Sequence, residues 1–210
     1  MDESRRHPDA PRPDSGAALA RVVRLLQVLV ALGSAVAATA HAAEPVTVQA
    51  SRHDGAFFVE AVAELSADPR IAWQVLTDYD RYAEFIPDLR SSRVVGRSSS
   101  GTVVEQHGQA EFLFIRIPLE VRYLVEETPF RVVRSRAIGG DFREMEGTYD
   151  ITPTPGGLRL TYSGRLVPGF MMPPLFGTTA VRISVERQFG AMVREIVRRD
   201  AAGEVGARGG

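Results

Sequence analysis

The chain has 210 residues, a formal net charge of -1, 44% hydrophobic and 24% charged residues, which suits one ordinary globular domain and gives no footing to a nucleic-acid partner. It has no Cys, and every one of its 25 basic residues is Arg, so disulfides, thiolate nucleophiles, Cys-based metal sites and Lys Schiff bases are excluded. Four His, at 7, 41, 53 and 107, are too scattered for a zinc site with its usual three protein ligands, and no cofactor is expected.

Arg21 and Arg24 precede an apolar run over 25–40 that stops at Ala40-His41-Ala42. A positive region, an apolar core and an A-x-A site in that order read as a secretory signal peptide. The core falls short of the roughly 20 residues that span a bilayer, so an N-terminal membrane anchor is the second reading. The expected organisation is an N-terminal extension and signal peptide over 1–42, a folded domain over 43–200, and a flexible tail over 201–210. The expected destination is the periplasm.

An edge strand over 46–50 and a turn open the domain. Over 57–65, Val59, Ala61, Ala63 and Leu65 share one face while Glu60 and Glu64 take the other, the alternation of a half-buried strand. Asp68-Pro69 then supplies a capping residue and a Pro at the first helical position. The predicted helix over 69–77 partly buries Ile71, Trp73, Val75 and Leu76, and a second helical segment over 78–87 ends at Pro87. Strands follow over 92–97, 102–114, 119–126, 130–138, 142–152 and 158–166, separated by clusters of turn residues. Connections this short imply an antiparallel meander. Gly108, Gly147 and Gly164 within the strands are residues that a bent or bulged sheet uses.

The pattern over 178–200 is helical: Val181, Val185, Phe189, Met192 and Ile196 recur every three or four residues, with Arg and Glu around the remainder. Such a helix is about 35 Å long, and its apolar stripe needs the inner face of the sheet as partner.

The run VEAVAELSADPRIAWQVLTDYDRYAEFIPDLRSSRVV over 59–95 and the run FREMEGTYDITPTPGGLRLTYSGRL over 142–166 resemble the START-like SRPBCC superfamily, in particular its polyketide cyclase and coenzyme Q-binding branch. The resemblance covers 57–200. It implies an α+β helix-grip fold, START-like or Bet v 1-like, in which a curved seven-stranded antiparallel sheet wraps a long C-terminal helix and leaves a cavity for a hydrophobic small molecule. Where the family usually shows Trp in the last hairpin, this chain has Tyr149.

Cavity candidates follow from strand parity and the helical stripe: Phe112, Phe114, Tyr123, Tyr149 and Tyr162 from the sheet, and Val185, Phe189 and Met192 from the helix. Phe85 and Ile86 join them at the end of the second helical segment. Trp73 is weighed between core packing and ligand contact. The uncharged stretch VPGFMMPPLFG over 167–177 adds Phe170, Met171, Met172 and Phe176. An oily loop must cover something apolar, and a lid, a peripheral membrane contact and packing on the first helices all stay open.

No phosphate loop, nucleophile elbow or metal-binding spacing occurs. Glu105, His107, Glu111, Arg122, Arg134, Arg136, Glu144 and Glu146 alternate along the strands as a solvated outer face, and no catalytic residue is assigned. The functional expectation is non-enzymatic binding or transport of a hydrophobic molecule, lipid or isoprenoid quinone-like. The alternative is a polyketide cyclase or aromatase, and a third reading is a protein-interaction module. Polar groups converging deep in the cavity favour the enzyme, and an apolar lining the carrier.

Overall fold

The alternating segments become one eight-stranded antiparallel sheet. The computed structural model describes residues 46–112, 115–169 and 177–208, with side chains described except at 110–112, 115 and 204–208. In chain order the elements are β1 (Val46–His53), β2 (Ala56–Leu65), α1 (Pro69–Leu76), a 3-10 turn (Tyr79–Arg81), α2 (Tyr82–Phe85), β3 (Leu89–Ser98), β4 (Gly101–Phe112), β5 (Ile115–Thr128), β6 (Val132–Gly140), β7 (Phe142–Thr154), β8 (Gly157–Pro168) and α3 (Thr178–Arg208). The sheet order is β1-β2-β8-β7-β6-β5-β4-β3, so the meander from β3 walks back to β2 and the sheet curves around α3 as a helix grip.

Two expectations are corrected. The sheet has eight strands, the number the segments read in order add up to, rather than the seven that the resemblance implies, and β1 runs past Ala50 to His53, pairing with β2 along its whole length. Asp54 and Gly55 at φ 50° and 80° make the two-residue hairpin turn that Asp-Gly favours, so the strand need not stop at Ala50. The tail over 201–208 is helical, continuing α3 beyond Asp200. It contains Gly203 and Gly206, each costing about 1 kcal/mol in a helix interior, which the continuation of a long helix can absorb.

The first helix starts as the sequence predicts: the Asp68 carboxylate accepts from the Arg70 N–H at 2.7 Å, with Pro69 at the first position. Its inner face is Ala72, Val75 and Leu76. Together with Ala61, Ala63 and Leu65 of β2, Ile151 of β7, Leu158 and Leu160 of β8, and Phe189, Met192, Val193 and Ile196 of α3, these form one packed core. That core lies under the middle of α3, where its C-terminal half begins.

Polar groups fasten the same half. Glu195 accepts from Arg198 at 2.7 Å and Arg199 at 2.6 Å, and Arg199 also reaches Asp78 at 2.8 Å, just beyond α1. Asp200 accepts the Asp68 N–H at 2.9 Å, at the start of α1. Both ends of α1 are thereby tied to one stretch of α3. The Arg198 hydrogen bond, with Arg199 beside it, holds the Glu195 carboxyl down to about 2.

Candidate ligand cavity

Alternate residue pairs on the β7–β8 ladder change character along the sheet. Pro153 faces Leu158 and Ile151 faces Leu160, then Tyr149 faces Tyr162, Gly147 faces Gly164, and Met145 faces Leu166. Ile151, Leu158 and Leu160 belong to the core. The glycine pair has no side chains to offer, and a cavity of about 290 Å³ opens there under the N-terminal half of α3.

Its walls are Val121, Tyr123 and Val125 of β5, Val133 and Ser135 of β6, and Val104 and Gln106 of β4. From α3 come Ala180, Val181, Ser184, Val185, Phe189 and Met192, with Tyr82 and Ile86 from the short helical segments. Asp88 stands in the left-handed region at φ 67°, where the chain turns from α2 into β3. Its carboxylate meets Arg187 of α3 at 2.9 Å. Gly108 is required at this turn, since a Cβ there would lie 2.7 Å from the Asp88 carbonyl oxygen.

Gly147 and Gly164 do something other than bend the sheet. The β7–β8 register is unbroken at their pair, so no bulge exists there. Instead the Tyr162 phenol lies across them: a Cβ on Gly164 would come within 2.6 Å of the Tyr162 oxygen, and one on Gly147 within 2.9 Å. Tyr149 sits 4.7 Å from Tyr162 between ring centroids, and its ring is parallel within 5° to Phe189 at 6.3 Å.

The phenols differ in their partners. Tyr79 donates to Glu127 at 2.7 Å, Tyr82 to the Leu76 carbonyl at 2.6 Å, and Tyr123 to the Met145 sulfur at 3.3 Å. The hydroxyls of Tyr149 and Tyr162 have no hydrogen-bond partner among the described residues. Burial pushes the Tyr162 hydroxyl up to about 12 and raises Tyr82, Tyr123 and Tyr149 as well. All of them remain protonated donors at neutral pH.

Of the residues singled out in the sequence, Ile86, Tyr123, Tyr149, Tyr162, Val185, Phe189 and Met192 line the cavity. Trp73 and Phe85 do not. Because α1 turns Ala72, Val75 and Leu76 inward, half-buried Trp73 points to the β5–β6 turn and packs on Phe130 at 5.7 Å. Phe85 packs on Tyr82 at 5.7 Å and lies under the Arg199 guanidinium at 5.8 Å. The side chains of Phe112, Phe114, Phe170, Met171, Met172 and Phe176 lie outside the described residues, as does the whole leader. Pro168 and Ala180, on either side of 170–176, both line the cavity.

Ser135 and Tyr82 escaped the sequence reading. Ser135 shares strand parity with Val133, so the alternation in β6 could have found it. Tyr82 carried no such signal in so short a helix.

On the outer face, Glu105, His107 and Glu120 bring three possible metal donors within 4.8 Å of one another. Arg122 already holds Glu105 at 2.6 Å. His107 therefore sits among surface ion pairs, on the opposite face of β4 from Val104 and Gln106.

A curved antiparallel sheet gripping a long helix, with a hollow left at one end of their interface, defines the class of helix-grip cavity proteins. Within that class the chain belongs to the family described as polyketide cyclase / dehydrase and lipid transport, whose sequence profile matches residues 65–207. Solved structures with the same fold include the Zhui aromatase/cyclase from Streptomyces sp. R1128, 19% identical with a TM-score of 0.56 over 74% of this chain and 99% of that one. A STAR-related lipid transfer protein fragment from Xanthomonas axonopodis is 15% identical, with a TM-score of 0.58 over 75% of this chain and 96% of that one. The di-domain aromatase/cyclase StfQ of the steffimycin pathway is 16% identical, with a TM-score of 0.52 over 93% of this chain and 63% of that one. No curated protein matches the chain. At these identities the likeness is one of fold, shared by lipid-transfer and aromatase/cyclase proteins alike.

Proposed function

We propose that this protein binds a hydrophobic small molecule in the cavity and carries it unchanged. The observation that carries the reading is the lining itself. Among the described residues it is mostly aliphatic, aromatic and phenolic, with three Gln and two Ser as neutral polar groups and Asp88 and Glu146 as its only charged members. A cyclase that draws a proton from a polyketone needs a base that titrates near the working pH. Asp88 is paired with Arg187, Glu146 is exposed on β7, and the raised phenols are poor bases at neutral pH. An apolar pocket with a few placed donors suits binding.

The unpartnered Tyr149 and Tyr162 hydroxyls favour a second reading, an aromatase or cyclase in which phenols stabilise a developing enolate. The leader-like residues 21–42 add export to the proposal, with the cell envelope as the place of work. Native mass spectrometry of protein isolated from that compartment tests both. A retained apolar molecule, released intact, is the expected result. Repeated isolation without any hydrophobic ligand sinks the carrier, and release of a cyclised product from a linear polyketone moves the reading to the enzyme.

A further inference from the structure

We infer that Tyr149 and Tyr162 form a donor subsite selecting a compact, neutral ligand that presents an acceptor oxygen, such as a ketone carbonyl on an apolar body. The inference rests on the cavity being a ligand site, as proposed above. Three observations lead to it.

The first is the pair of unsatisfied donors. The Tyr149 and Tyr162 hydroxyls have no protein partner among the described residues and stand side by side on adjacent strands, rings 4.7 Å apart, so both are free to donate to a bound molecule. A third hydroxyl is near. Ser135 and Tyr162 both lie against Gly147, at 3.3 Å and 2.9 Å from the position a Cβ would occupy. The Ser135 bond to the Gly147 carbonyl is 3.4 Å long, so that hydroxyl is weakly held.

The second is charge. Of the two charged groups of the lining, both acidic, Asp88 already holds Arg187 at 2.9 Å and Glu146 is exposed, so among the described lining residues no Arg or His is left to meet an anion. A carboxylate or phosphate head buried here would lie unneutralised, which is the costliest way to place an anion. Donors without cations select a neutral acceptor.

The third is size. About 290 Å³ lies at the lower end of small-molecule pockets. A two-chain lipid cannot enter whole, whereas a bicyclic aromatic ketone can.

The test uses three probes of matched size: 2-acetylnaphthalene, 2-isopropylnaphthalene and 2-naphthoate, measured by equilibrium dialysis against the purified protein at pH 8. The ketone is expected to bind roughly tenfold more tightly than the hydrocarbon, as one to two hydrogen bonds would give, and the carboxylate most weakly. Tyr149→Phe and Tyr162→Phe keep the rings and remove the donors. Each should bring the ketone toward the hydrocarbon, read as a fall in the ratio of the two affinities. The infrared carbonyl stretch of bound ketone should lie at lower frequency in the native protein and rise in both variants.

Equal binding of ketone and hydrocarbon with no response to the Phe variants overturns the subsite and leaves the carrier reading intact, as does tightest binding of 2-naphthoate. Failure to bind any of the three sinks both.

Discussion

One helix meets two different surroundings along its length. From Phe189 to Ile196, α3 belongs to the packed core with β2 and α1, with Phe189 at 1% and Ile196 at 0% exposure, and Arg199 and Asp200 fasten it further. From Ala180 to Val185 it faces a void. The packed end supplies cohesion, and the hollow end is free to exchange contents because it supplies little. A native domain is stable by only about 5–15 kcal/mol, so a hollow is tolerable where the rest of the interface is filled to the density of an organic solid.

The largest effect should come at the junction. Phe189→Asp places an unpaired carboxylate between Tyr149 and the core, and should unfold the domain, read as loss of the cooperative thermal transition in circular dichroism. An unchanged melting curve would mean that the stripe of α3 is not buried.

Next, paired truncations separate the two ends. Leu160→Ala, fully buried in the packed end, should cost about 2–5 kcal/mol in urea titrations, whereas Val181→Ala, on a wall that already faces empty space, should cost about 1 kcal/mol or less. Equal costs would erase the distinction.

The fastening of the packed end has a pH signature. The Glu195 carboxyl is depressed to about 2 in the folded chain, so it stabilises the fold above its ordinary value near 4.5 and that contribution is lost as pH falls toward 2. Glu195→Gln should cost about 1–3 kcal/mol at pH 7 and flatten the acid limb of stability between pH 4.5 and 2. A variant with the same acid limb as the native chain would place the acid sensitivity elsewhere.

The smallest effect is the most diagnostic in sign. In a strand, Gly→Ala ordinarily stabilises, but at Gly164 the new methyl meets the Tyr162 oxygen at 2.6 Å and Val59 at 3.0 Å. Gly164→Ala should therefore lower stability by about 1 kcal/mol and reduce ligand capacity in the same dialysis assay. A raised melting temperature would show that Tyr162 is not seated on the glycines.

Much of this contrast was legible before any coordinates. Alternation in β2, β7 and β8 put Val59, Ala61, Ala63 and Leu65 inside, and Met145, Gly147, Tyr149 and Ile151 on one face, because one face of an antiparallel sheet is buried and a period of two leaves no ambiguity once the register is right. The α3 stripe was equally plain. What could not be read was where side chains run out. Gly147 and Gly164 look like bends in a one-dimensional pattern, and only the ladder that sets them opposite each other reveals the seat of the Tyr162 phenol. Trp73 was undecidable for a related reason. A helix as short as α1 has apolar residues on most sides, and the partner that took Trp73 is Phe130, 57 positions away at the β5–β6 turn. The length of β1 was signalled by Asp54-Gly55, a turn dipeptide that reads as a strand terminus unless both flanks are long enough to pair.

Among the described residues, the Arg187 link to Asp88 is the only salt bridge joining the cavity-facing half of α3 to another element. Arg187 is 41% exposed at the side chain, so dissolved ions can compete for it. The residence time of a molecule in the hollow should then shorten as electrolyte is added, while the melting temperature, governed by the opposite end, stays almost still.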